Sequence, residues 1–106
     1  MDQNYNIINK VNMLFEYDNT INGVIKTIWK NLLIHIEQYD KQLYRIKCMN
    51  IHKLFIDFVN QSNYLLIEMK NKLNMLSSND LHITININSI IDIYLQKNLS
   101  LLQQLK

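Results

Sequence analysis

Side chains able to do chemistry are few in this chain, and they are scattered. His35, His52 and His82 are its three histidines, and Cys48 is its one cysteine. Cys48 and His52 stand four apart, a spacing at which two ligands on one helix share a metal, but a structural zinc site takes four ligands. No other cysteine or nearby histidine completes such a set, so neither metal nor cofactor is expected. A nucleophilic Cys48 would need a base and an electropositive setting. The plainer reading is a buried thiol in a turn. The carboxylates Asp2, Glu16, Asp18, Glu37, Asp40, Asp57, Glu68, Asp80 and Asp92 show no spacing that pairs a general acid with a base. One glycine, Gly23, cannot build a glycine-rich phosphate loop. Catalytic residues are therefore not expected, and the chain reads as a non-enzyme.

Charge points to binding only weakly. The net charge is +2, and phosphate-binding surfaces usually cluster their basic residues with arginine among them. Arg45 is the single arginine here. Lys26, Lys30, Lys53, Lys70 and Lys72 are the candidates for phosphate contact, and they read first as solvated helix faces. An RNA- or ribosome-associated factor built on those five lysines is the second functional reading.

Composition bounds the rest. A chain of 106 residues holds one domain, and 48% hydrophobic against 19% charged residues is globular rather than disordered. Alanine and proline are absent while isoleucine and asparagine dominate. Codons for the missing residues are rich in G and C, so the source genome is expected to be AT-rich. The many asparagines then reflect mutational bias rather than a prion-like tract. A single cysteine forbids an internal disulfide and fits a reducing, intracellular compartment, cytoplasm or nucleus. Met1-Asp2-Gln3-Asn4 has neither the basic start nor the apolar core of a signal peptide. Fully apolar runs reach only three residues or so, as in Leu32–Ile34 and Leu65–Ile67, against the roughly 20 of a membrane span.

The elements that would position these side chains are helices. Ile21, Ile25, Ile28, Leu32, Ile36, Tyr39, Leu43 and Ile46 recur in steps of three or four, one face of a helix over 20–47. After Cys48-Met49-Asn50, with Asn50 as the expected N-cap, a second seam of equal spacing follows over 50–76. It runs Ile51, Phe55, Phe58, Ser62, Leu66, Met69, Leu73 and Leu76, with Ser62 its one polar member. Equal seams joined by a short turn predict an αα-hairpin. A short helix is predicted over 5–17, with Asp2 or Asn4 as cap, and a last one over 88–105. Between them, 77–87 is expected to be a connector. Its alternating His82-Ile83-Thr84-Ile85-Asn86-Ile87 leaves open a strand added to another protein's sheet. The expected fold is all-α, an antiparallel hairpin or bundle of three to four helices with coiled-coil-like seams.

Over roughly Ile21 to Leu105 the rhythm is similar to the coiled-coil region of the central-channel nucleoporins. The likeness lies in the seam Leu66, Met69, Leu73, Leu76 and the final spacing Ile91, Tyr94, Leu95, Leu99, Leu102, Leu105. The chain departs from that family in having no Phe-Gly dipeptide, no tryptophan in the last helix and no Asp-Pro at its start. What the resemblance implies is a class, the helical scaffold subunit, and not membership. The leading functional reading is accordingly a non-enzymatic helix-packing subunit of a larger assembly or of a homo-oligomer. Trp29, Leu33, Ile34 and Leu65, beside the seams, are its expected docking surface. A host-directed viral helical protein shares the same physics and forms a third reading.

Overall fold

The structure, a computed structural model, describes residues 3–21, 23–76 and 81–104. Asp2, the 77–80 part of the expected connector, and Leu105 lie outside them. Among the described residues there are four helices and no strand: α1 (Gln3–Tyr17), α2 (Gly23–Met49), α3 (His52–Met75) and α4 (Leu81–Gln104).

Helix directions follow from which side chains meet. His35 meets Ser62, and one shallow groove is lined by both Ile28 and Met69, so α2 and α3 are antiparallel. Lys70 meets Asp92 and Ser62 meets Asn98, so α3 and α4 are antiparallel as well. α1 turns back on α2 through Asp18–Ile21, and the Trp29 indole N–H donates to Asn12 Oδ1 at 2.8 Å. At the end of α1, Asp18 lies within electrostatic reach of His82 at the start of α4. α1 therefore lies along the channel between α2 and α4, antiparallel to both. The result is an antiparallel bundle in which α3 packs most extensively on α4 and next on α2.

The turns are built from local chemistry. Asp18 Oδ1 accepts from both the Thr20 backbone N–H (2.9 Å) and its hydroxyl (2.5 Å), an Asx-type turn that reverses the chain. These bonds, with His82 nearby, hold the Asp18 carboxyl below the usual carboxylate range. Asn50 adopts φ 54°, a left-handed conformation that asparagine tolerates better than most residues. It ends α2, its N–H donating to Lys47 O at 3.1 Å. The N-cap of α3 is thus Ile51 rather than Asn50, with extended backbone and no side-chain capping bond.

A continuous apolar core fills one half of the bundle. Val11, Ile25, Leu32, Leu66, Leu73, Ile83, Ile87, Ile90 and Ile91 are all at most 1% exposed. Fully burying each such side chain is worth about 1.5–3 kcal/mol. Two of them, Ile83 and Ile87, correct the sequence reading. The stretch 82–87 is neither connector nor strand, because α4 begins at Leu81. Ile83 and Ile87 are buried while Ile85 is exposed, the four-residue period of a helix face. A period-two pattern only six residues long also places i and i+4 alike, so tertiary burial against α1 and α3 decides it. In α3 the seam is shifted at its start. Val59 is fully buried, whereas Ile51 is 45% exposed.

Candidate functional site

The most specific constellation is a chain of buried polar groups across three helices. Tyr39 Oη donates to Asn98 Oδ1 at 2.5 Å, and Asn98 Nδ2 donates to Ser62 Oγ at 2.9 Å. The Ser62 hydroxyl lies 2.9 Å from His35 Nε2. Tyr39, Ser62 and Asn98 are each no more than 2% exposed. Ser62 Oγ accepts from Asn98 and keeps a second lone pair, so it meets His35 Nε2 as donor or as acceptor according to which ring nitrogen of a neutral His35 carries the proton. Burial favours that neutral form by pushing the His35 pKa down. Burial, helped by Asp40 and Tyr94, likewise pushes the Tyr39 hydroxyl up to about 12. Aromatic rings close around the same tyrosine: Tyr94 and His35 edge-on at 5.2 and 5.8 Å, and Phe58 tilted at 5.7 Å. Such pairs add about 0.5–1.5 kcal/mol each beyond burial. A serine beside a histidine has the outline of a nucleophile and base. Here the hydroxyl is enclosed and its oxygen already engaged by Asn98, so it is held as structure rather than offered to a substrate.

Beyond this polar layer the bundle opens. Asn12 is level with Trp29 and nine positions after Gln3, so the start of α1 is level with about residue 38 of α2 at 1.5 Å per residue. The channel between α2 and α4 continues past it as a hollow of about 510 Å³. Tyr39, Leu43, Ile93 and Leu101 form its apolar lining, with Asp40 on the α2 rim and Lys97 on the α4 rim. Lys97 Nζ sits 4.6 Å from the Tyr94 ring centroid. A second hollow of about 280 Å³, lined by Ile46, Phe55 and the α2–α3 turn, shares Leu101 with the first.

The residues marked out from sequence do not assemble. Trp29 is 3% exposed, buried on α2 and bonded to Asn12, which removes it from any docking surface. Leu33 is half-buried beside it. Ile34 is 55% exposed but lies about 180° round the helix from Ile25, facing away from the bundle. Leu65 is on α3, in the groove with Ile28 and Met69. The lysines are also dispersed. Lys70 is paired with Asp92 at 2.5 Å and Lys72 with Glu68 at 3.5 Å. Lys53 is seventeen residues up α3 from Lys70, about 25 Å away along the axis, while Lys26 and Lys30 are on α2. Cys48 is exposed rather than buried, closing α2 while His52 opens α3 beyond the turn. Among the described residues no three His, Cys, Asp or Glu side chains gather as a metal site. None of their helices is long and apolar enough to cross a membrane.

Searched against family models, curated proteins and solved structures, the chain matches none. Function has to be read from the chain's own surfaces. Of the features above, sequence reasoning flagged Ser62 as the polar member of a seam and missed Asn98. The signal was present in the spacing Ile87, Ile91, Tyr94, Asn98, but one asparagine among so many drew no notice.

Proposed function

We propose that this chain is a non-catalytic interaction subunit that works by helix packing, and that its working surface is the open half of the α2–α4 channel. One observation carries the reading. α1 fills the channel beside the closed core, and past its end Leu43, Ile93 and Leu101 line an unfilled apolar hollow of about 510 Å³. A groove already seating one amphipathic helix along half its length is shaped to seat helical surface along the rest. The buried polar chain supports this by fixing α2, α3 and α4 in register at the point where α1 stops. A buried, fully connected network specifies one arrangement of helices more than it stabilises it.

Affinity by apolar burial and affinity by phosphate contact separate cleanly with salt. A stoichiometric protein partner, identified by mass, is expected to stay bound in molar salt and to be lost on Leu101→Asp. Recovery of RNA with an affinity falling log-linearly in salt would contradict the reading.

A further inference from the structure

We infer that the occupant of the open groove is a second copy of this chain, paired across a two-fold axis through the exposed half of α4. This deepens the interaction-subunit reading and rests on its choice of surface. Two observations bear on it: the first leaves room for a partner, and the second carries the choice of partner.

The first is area and shape. The chain exposes 7324 Å², about 1,100 Å² more than the roughly 6,200 Å² expected of a compact monomer of 12.7 kDa. Its radius of gyration of 15.0 Å exceeds the roughly 13 Å expected for this length. The excess belongs to the elongated shape of the whole bundle, 46 × 29 × 18 Å, whose flanks leave room for a standard dimer interface of about 800 Å² per partner.

The second is charge. The groove has one acidic rim residue, Asp40 on α2, and one basic rim residue, Lys97 on α4, on opposite walls of the same apolar floor. In a two-fold interface every contact occurs twice with the roles exchanged. If the α4 ridge bearing Ile93, Lys97 and Leu101 of each copy enters the other's groove, each Lys97 reaches the other copy's Asp40. The surface is thus complementary to itself, and no foreign charge pattern is needed to satisfy it.

The test is solution mass by light scattering across a hundredfold range of concentration, on wild type and rim variants. Asp40 is exposed, and half-buried Lys97 touches the core only through its contact with the Tyr94 ring, so Asp40→Lys and Lys97→Asp are expected to keep wild-type circular dichroism. Wild type is expected to move from monomer to dimer with concentration. Each variant alone should weaken the dimer about 10-fold, and an equimolar mixture of the two should restore it, because the mixed pair again opposes unlike charges. A wild-type chain that stays monomeric at every concentration overturns the inference. So does a dimer indifferent to both variants, which would use another surface. The salt test above is separate: a monomeric chain that still holds a foreign partner in molar salt would sink this inference and leave the interaction-subunit reading standing.

Discussion

Around Trp29 four helices meet, and around Phe55 only three do. In the first region Ile25, Leu32, Leu73, Ile83 and Ile87 are at or near zero exposure, and the one indole N–H finds Asn12. In the second, past Tyr39, the seam residues Leu43, Ile46, Phe55 and Leu101 are only half-buried, although their spacing is as regular. The same helices run through both regions, so the difference is the presence or absence of α1. Helical rhythm states which face of a helix is apolar; whether that face is covered depends on the length of its neighbours. At 15 residues against 27, α1 covers about half of α2.

That contrast is easiest to break with charge. Leu32→Asp puts an unpaired carboxylate in the closed half and is expected to abolish the cooperative thermal transition seen by circular dichroism. Leu43→Asp, at a matching seam position in the open half, should cost no more than about 1 kcal/mol in a chain held monomeric by dilution. Equal losses at the two positions would show that both halves are closed. Less drastic truncation should rank the same way. Ile87→Ala is expected to cost about 3 kcal/mol by urea denaturation, with a cavity term added to lost burial.

Ile87 also shows why the sequence was legible only in part. Regular long seams over 21–46 and 51–76 placed two helices and most of their buried faces, because a 3.6-residue period sustained over seven turns has no competing reading. The start of α4 offered six residues of alternation, β-branched and strand-like, and nothing local to outvote them. Only packing against α1 and α3 makes 82–87 helical. The candidate site was less legible still. Trp29 was set beside the seam and so assigned outward, whereas α1 lies over it, a fact that depends on the direction taken after Asp18. The open groove lies beyond the described part of α1, between α2 and α4, and has no signature at any one residue.

The boundary between the halves should respond to smaller changes. Asn98→Ala strands the Tyr39 hydroxyl and the Ser62 oxygen together and is expected to cost about 1–3 kcal/mol, more than Tyr39→Phe at about 1. Acid should loosen the same layer. His35 is depressed in the folded chain, so the unfolded chain takes up its proton first. Its contribution is complete above the ordinary value of 6.5 and is lost as pH falls from there through the lower folded value. A urea midpoint that falls below pH 6.5 in wild type and less in His35→Gln would locate the effect. Tyr39 works in the opposite sense: raised from 10 to about 12, it stabilises below pH 10, and that contribution disappears as pH rises toward 12. The smallest effect is expected at Lys30→Glu, on an exposed face of α2, within about 0.5 kcal/mol of wild type.

Native-state hydrogen exchange compares the two halves most directly. It is best done at low concentration on the Asp40→Lys chain, where self-association does not protect the open end. Amides of 25–36 and 83–94 are expected to exchange only through global unfolding, while those of 42–58 and 97–104 exchange by local opening at much lower free energy. Equal protection along the whole length of α2 and α4 would contradict it, for then the three-helix end would be as closed as the four-helix one and no groove would be waiting for a partner.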